Sequence, residues 1–150
     1  MKLKIPPAIQ VLFCGFIMWL IKKFTSQEHF NFEYQNEMSL ILLLIGVILG
    51  ILAIYSFRKA QTTVDPLSPE KATSLVKSGI YKYSRNPMYL ALLFVLLAFL
   101  VRLGNLYNLI VIVLYIVFIT EFQIKPEEKA LTSLFGKHYL KYKMEVRRWI

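Results

Sequence analysis

Long apolar runs separated by clusters of polar and charged residues dominate the pattern of the chain. Four of these runs, at residues 5–21, 39–57, 87–101 and 103–120, have the length and apolar character of membrane-crossing helices. The second contains no charged residue and is long enough, at about 1.5 Å per residue, to cross a hydrocarbon core of about 30 Å. The pattern therefore predicts an all-α membrane protein with about four transmembrane helices.

The remaining polar pattern predicts how these helices are connected and how the chain ends. The third run gives way to the fourth within residues 102–105, which favours a tight helical hairpin. Beyond Pro126, apolar and aromatic residues recur at helical spacing while lysines occupy other faces. This is typical of an amphipathic helix lying at the membrane interface, and Gly136 is expected to interrupt it.

Composition and charge place the whole chain in the membrane as one domain, residues 1–150. Hydrophobic residues make up 57% of the sequence, the mean hydropathy is +0.52 and the net charge is +9. The basic residues lie between and after the apolar runs instead of on one isolated face, so anionic lipid headgroups or an amphipathic substrate are better partners than nucleic acid.

The basic residues also predict an orientation. With both termini cytoplasmic, all lysines and arginines except Lys22, Lys23 and Arg102 lie on the cytoplasmic side, as the positive-inside rule requires. The polar segments 58–87 and 121–150 then share that side. We expect a multi-pass protein of a bacterial inner membrane with its site on the cytoplasmic face.

Small and metal-ligating residues give weaker signals. Gly46 and Gly50 form a G-x-x-x-G step that allows close helix packing, either within the chain, which we favour, or in a homodimer. Cys14 is the single cysteine, and His29 and His138 are isolated, so no metal site is predicted.

Two polar stretches are candidates for chemistry, and each has an ordinary alternative. Arg85 and Asn86 precede Pro87 at the start of the third run, where they either anchor the chain at the headgroup level or bind an anion. Glu127 and Glu128 follow the fourth run, where they either complement a helix dipole or accept hydrogen bonds from ribose hydroxyls.

The combination of these stretches is more specific than either alone. Leu75-Val-Lys-Ser-Gly-Ile-Tyr-Lys-Tyr-Ser-Arg-Asn-Pro-Met-Tyr89 is followed by the hairpin, by Glu127-Glu128 and by Phe135-Gly-Lys-His-Tyr-Leu-Lys-Tyr142. Residues 73–150 thereby resemble the isoprenylcysteine carboxyl methyltransferase and phospholipid methyltransferase superfamily.

The resemblance implies a membrane methyltransferase that uses S-adenosyl-L-methionine and acts on a lipophilic acceptor from the bilayer. It assigns cofactor handling to residues 62–150, a weaker substrate-facing role to Arg85, Gln123 and Glu128, and no catalytic residue. The cofactor-binding positions that it implies are Thr73, Ser74, Leu75, Val76, Tyr81, Asn86, Pro87, Met88, Tyr89 and Glu127.

Two departures from the family pattern keep other functions open. Asn86 stands where the family usually has histidine, so it forms hydrogen bonds but does not titrate. Gln123 stands where prenylcysteine enzymes have a substrate-binding arginine. The alternatives are an NADPH-dependent membrane reductase related to sterol reductases and a non-catalytic membrane scaffold.

Overall fold

The computed structural model describes residues 5–25, 29–62 and 73–150. This part of the chain is helical, with no β-strand. A 3-10 turn, Gly79–Lys82, precedes the third helix, and a π-helical turn, Thr120–Ile124, joins the fourth to the fifth. The α-helices are α1 (Pro7–Phe24), α2 (Gln35–Lys59), α3 (Pro87–Leu103), α4 (Asn108–Ile119), α5 (Lys125–Phe135) and α6 (Lys137–Glu145).

Each of the four predicted apolar runs forms a helix, which confirms the all-α membrane class. Three helical stretches, Pro7–Phe24, Gln35–Lys59 and Asn108–Phe135, are long and apolar enough to cross a membrane, and Pro87–Leu103 is a shorter apolar helix. Proline begins α1 and α3, where its missing N–H costs no hydrogen bond.

The core of the bundle surrounds α3, which contacts α1, α2 and α4. Leu96 of α3, Met18 of α1 and Ile119 at the end of α4 are almost completely buried in one apolar cluster. Most side chains of α2 are exposed instead. Since most of these side chains are apolar and none of the described residues covers them, α2 is suited to present them to lipid.

The hairpin between α3 and α4 is as tight as the sequence predicts. Gly104 ends α3 with a left-handed backbone (φ +63°), and a Cβ there would lie 2.5 Å from the Phe30 carbonyl oxygen. The Phe30 amide donates to the Gly104 carbonyl at 2.7 Å, and Asn105 donates to the Thr25 hydroxyl at 2.8 Å. The loop after α1 is thereby attached to the hairpin at one end of the bundle.

The helical stretch that begins with α4 continues through the π turn and α5, past the predicted end of the apolar run at residue 120. Pro126 does not start a separate helix, because the π turn widens the backbone just before it and α5 follows without a break. The Lys125 amide donates to the Thr120 carbonyl within this turn. A π turn accommodates a proline that an uninterrupted α-helix would not tolerate.

The helix breaks at Gly136, as predicted, and the aromatic side of the segment beyond it packs on the bundle. Gly136 has φ +49°, and α6 begins at the next residue. Tyr139 and Tyr142 are each only 3% exposed. Both rings are therefore buried against the bundle, and the Tyr142 hydroxyl reaches the segment before α3.

Candidate functional site

A cavity of about 510 Å³ lies where the segment before α3 meets α5 and α6, and it continues between α2 and α3. The two polar stretches that the sequence places on one side of the membrane do converge here. The predicted site residues that line the cavity are Ser74, Leu75, Val76, Tyr81, Arg85, Asn86, Met88, Tyr89, Glu127 and Glu128.

Three predicted residues lie beside the cavity instead of lining it. Thr73 is exposed, and its hydroxyl donates to the Gln61 carbonyl at 3.2 Å. Pro87 is buried in the first turn of α3, where it sets the direction of the helix. Gln123 is buried in the π turn and reaches the site through a neighbouring carboxylate. The cofactor-binding roles of Thr73 and Pro87 stay predictions.

Glu127, in the first turn of α5, is held by uncharged partners. The Tyr89 hydroxyl donates to its Oε1 atom, and Gln123 Nε2 donates to the same oxygen at 3.2 Å. Tyr89 is near the start of α3, so this contact joins the two motif stretches directly. A carboxylate has about four lone-pair positions, and this one lines the cavity, so it is suited to accept hydrogen bonds from ligand hydroxyls.

Glu128, the next residue, faces a cluster of cations. Its carboxylate pairs with Arg85 Nη2 at 3.1 Å and with the Arg148 guanidinium at 2.9 and 3.0 Å, and Lys143 Nζ lies 3.7 Å away. Two parallel N–H to oxygen contacts make the arginine pair with Arg148 a strong one. The cluster connects α5, the segment before α3 and the end of the chain.

Arg85 has hydrogen-bonding capacity beyond this cluster. Its side chain is only 8% exposed and lines the cavity, yet its Nε and Nη1 atoms have no partner among the described residues. Buried donors without partners are costly to a folded protein. An anionic group in the cavity, such as a carboxylate, would satisfy them.

Asn86 uses its side-chain amide to hold the end of the chain. Its Nδ2 atom donates to the Arg148 carbonyl at 2.8 Å, while the Arg85 amide donates to the Arg147 carbonyl at 3.0 Å. Asn86 thus keeps the hydrogen-bonding ability that the sequence assigns to it. Its amide nitrogen holds residue 148 against the segment before α3, and its role toward a cofactor stays a prediction.

An aromatic wall completes the polar end of the cavity. The Tyr142 hydroxyl donates to the Tyr81 carbonyl at 2.7 Å, and the ring of Phe57 meets that of Tyr81 edge-on with centroids 5.3 Å apart. Burial raises the pKa of Tyr81, Tyr139 and Tyr142 above the usual value for tyrosine. These phenols therefore stay neutral and serve as donors and flat apolar surfaces.

Sequence reasoning missed several residues of this wall. The Phe-Gly-x-x-Tyr-x-x-Tyr tail contains Tyr139 and Tyr142. Because their helical spacing is also typical of an interfacial helix, the sequence does not assign either residue to the cavity. Phe57 lies in an apolar run with no local signal. Arg148 joins the site only because the chain returns to residues 84–86, and no local pattern indicates that contact.

The face of α2 that carries Gly46 and Gly50 packs against α3 of the same chain. A Cβ on Gly46 would lie 2.9 Å from the Ala91 carbonyl oxygen, so the glycine is needed for the approach of α2 to α3. This is the arrangement that the sequence favours for Gly46 and Gly50. A homodimer through this face remains an untested prediction.

Fold and cavity together define an integral membrane protein with a cavity where its two polar motif stretches meet. The model of the phospholipid methyltransferase family matches residues 34–138, more than half of the chain, and the chain belongs to this family. Membership confirms the resemblance found in residues 73–150 and points to a membrane methyltransferase.

Two relatives bear on this assignment. A stretch of 63 residues, 42% of the chain, is 46% identical to an uncharacterised protein of Haemophilus influenzae over that protein's whole length. The chain is also 25% identical over 127 residues to the protein-S-isoprenylcysteine O-methyltransferase of Saccharomyces cerevisiae. That match covers 82% of this chain and 53% of the yeast enzyme, so the chain spans about half of its length. No solved structure matches significantly.

Proposed function

We propose that this protein transfers a methyl group from S-adenosyl-L-methionine to a lipophilic acceptor that enters the site from the bilayer. One observation carries the proposal. Glu127, held by Tyr89, and the unpaired donors of Arg85 line a single cavity, and that cavity continues into the apolar interior of the bundle. A polar cofactor and an apolar acceptor both find matching surfaces in it.

The residues at the polar end fit the chemical groups of the cofactor. Glu127 is suited to accept hydrogen bonds from ribose hydroxyls, and Arg85 Nε and Nη1 are suited to bind the amino-acid carboxylate. The aromatic faces of the same cavity wall attract a cation such as a sulfonium. Tyr81, Tyr139 and Tyr142 supply these faces.

When bound, the cofactor would supply an electrophilic methyl group on a positively charged sulfur for transfer to a lone pair of the acceptor. The protein's contribution is alignment of donor and acceptor. Tyr89 and Gln123 hold the Glu127 carboxylate in one orientation. The ion cluster around Glu128 holds Arg85 and the chain end in place.

The chemistry of the acceptor follows from the groups nearby. A carboxylate acceptor needs no general base, whereas an amine or a thiol must lose its proton before it reacts. Asn86 cannot take that proton, because an amide does not titrate. A carboxylate or another acceptor that is already deprotonated needs no such group, whereas for an amine or a thiol Glu127 is the carboxylate of the cavity that is suited to take the proton. By the positive-inside rule, we place the reaction at the cytoplasmic face.

Cofactor binding tests the proposal directly. Isothermal titration calorimetry of the purified protein in detergent is run with S-adenosylmethionine and with S-adenosylhomocysteine. We expect both to bind and Glu127→Gln to weaken both. Glu121→Gln is the matched control, since Glu121 is on the same helical stretch but pairs with exposed Lys125 at 2.5 Å.

The possible outcomes separate the competing functions. Binding that Glu127→Gln weakens and Glu121→Gln leaves unchanged supports the proposal. Absence of binding by well-folded protein, with binding of NADPH, would indicate the reductase instead. Absence of binding by either cofactor would favour a non-catalytic membrane protein that keeps the family fold.

A further inference from the structure

The cavity extends farther into the membrane than the cofactor requires. Along α2 its wall is formed by Phe57, Ile54, Gly50, Val47 and Gly46. Phe57 follows Gly46 by eleven positions, so at about 1.5 Å per residue this wall extends for about 16 Å along α2 from the aromatic end of the cavity. Gly46 lies near the middle of α2, and therefore near the middle of the bilayer.

The deep part of the cavity is apolar on every side. Opposite the α2 residues it is lined by Ala91, Leu92 and Val95 of α3, with Pro7 and Ala8 of α1 beside its upper part. S-adenosylmethionine is polar or charged at every extremity and gains nothing from an apolar channel of this depth. A hydrocarbon chain gains about 0.8 kcal/mol for each methylene group that it buries.

The deep part is also accessible from the lipid. α1 and α2 pack against α3 from different sides and make at most marginal contact with each other. A second, more open cleft, of about 770 Å³, continues between them toward the opposite end of the bundle. Val95 lines both spaces, and the second is bounded by Leu43, Phe99 and Arg102.

Gly46 and Gly50 of α2 differ in the space that surrounds them. A Cβ on Gly46 would approach the Ala91 carbonyl oxygen within 2.9 Å, so Gly46 serves helix packing. A Cβ on Gly50 would meet only the Ala91 side chain, at the ordinary distance of 3.7 Å. Packing therefore does not require glycine at position 50, and its absent side chain leaves the channel open there.

At the polar end of the same cavity, Arg85 marks a place for a ligand. Its side chain is more than nine-tenths buried, and its Nε and Nη1 atoms have no partner among the described residues. A small-residue face and a buried, incompletely paired cation thus line one continuous space. Together they describe one space whose polar end, at Arg85, suits the cofactor and whose apolar end, toward Val95, suits the chain of an acceptor.

We propose that Gly50 determines whether a hydrocarbon chain on the acceptor is accepted, because the chain passes this residue between α2 and α3. This inference rests on the proposed function and adds the residue that selects the acceptor. The chain enters sideways between α1 and α2. The reacting group is then held at the level of Tyr89 and Glu127.

Photo-crosslinking tests the channel. The protein is reconstituted in phosphatidylethanolamine–phosphatidylglycerol vesicles that contain palmitate with a diazirine at mid-chain, and cross-linked peptides are identified by mass spectrometry. We expect labels to concentrate on residues 46–57 and 88–95. Gly50→Leu should lower this labelling at least about tenfold, because its side chain displaces two or more methylene groups.

Two control variants show whether the labelling depends on the size of the side chain at position 50. Gly50→Ala keeps the packing and should lower the labelling only slightly. Ile51→Phe adds bulk to the adjacent residue, which is 61% exposed on the lipid side, and should not change the labelling. Uniform labelling of all lipid-facing positions of α2, or equal labelling in Gly50→Leu, would overturn the proposal.

Calorimetry with S-adenosylhomocysteine on the same proteins separates this proposal from the proposed function. Retained binding in Gly50→Leu together with lost labelling supports the channel and shows that the variant is folded. Retained binding with unchanged labelling rejects the channel alone. Absence of binding in the unsubstituted protein rejects the methyltransferase assignment.

Discussion

The regions on the two sides of the first turn of α5 differ sharply, although the side chains that define them belong to consecutive residues, Glu127 and Glu128. Glu127 faces the cavity and is held by the neutral groups of Tyr89 and Gln123. Glu128 faces Arg85, Arg148 and Lys143, all cationic. Successive helix residues point about 100° apart, which directs the two carboxylates into these different surroundings.

The comparison separates a carboxylate that is paired within the protein from one that faces the cavity. The charge of Glu128 is balanced by cations of the protein, and these partners connect three parts of the chain. Among the described residues Glu127 meets the dipoles of Tyr89 and Gln123, so a ligand in the cavity with hydroxyl donors or a positive charge would favour its charged form. We therefore expect substitution of Glu128 to lower the stability of the fold and substitution of Glu127 to lower the affinity for a ligand.

Glu128→Ala should have the largest effect, and on stability. It leaves the buried guanidinium of Arg85 without its partner, and removing one member of a buried ion pair costs about 3–5 kcal/mol. The free energy of unfolding in detergent measures this loss. Glu145→Ala is the control, because Glu145 lies 3.9 Å from Lys141 in an exposed pair. Equal stability of the two variants would contradict the structural role of Glu128.

Glu127→Gln should act on binding and not on folding. A hydrogen bond to a charged group contributes about 1.5–3 kcal/mol, so the affinity for S-adenosylhomocysteine should fall by about 10- to 150-fold. The free energy of unfolding should change by less than about 1 kcal/mol, since glutamine keeps the side-chain shape. Calorimetry and unfolding on one sample measure both, and a large stability loss with unchanged affinity would reverse the assignment of the two glutamates.

Asn86→Ala should have a smaller effect, confined to the attachment of the chain end. It removes one hydrogen bond, to the Arg148 carbonyl, of about 1 kcal/mol. Hydrogen exchange of the Arg85 amide, which donates to the Arg147 carbonyl, should become faster. Tyr83→Ala, in the same segment but 73% exposed, is the control. Unchanged protection of the Arg85 amide would show that Asn86 does not hold the chain end.

Lys143→Ala should have the smallest effect. Its ammonium lies 3.7 Å from Glu128, and its side chain is 34% exposed, so solvent and salt screen the pair. The expected loss is below about 1 kcal/mol and should decrease between low and high salt. The free energy of unfolding at two ionic strengths measures it. A salt-independent loss as large as that of Glu128→Ala would show that the cluster depends on Lys143.

The helical architecture and the position of the site could be predicted from the sequence because their signals are local. Apolar runs such as 39–57 specify helices by length and composition alone, since lipid requires every backbone group to be bonded within the helix. The order of the motifs at 75–89 and 127–142 placed two polar stretches at one end of the bundle. Gly136 ended a helix, as a residue with positive φ does.

Only the tertiary structure shows that similar residues in the same motif have different surroundings. The sequence presents Glu127 and Glu128 as a pair, and Gly46 and Gly50 as one small face. Which carboxylate meets Arg148 depends on the return of the chain end to residues 84–86, and which glycine faces open space depends on the angle between α2 and α3. These contacts join residues far apart in the chain, so no local periodicity records them, and packing alone decides which of two similar residues serves structure and which faces the cavity.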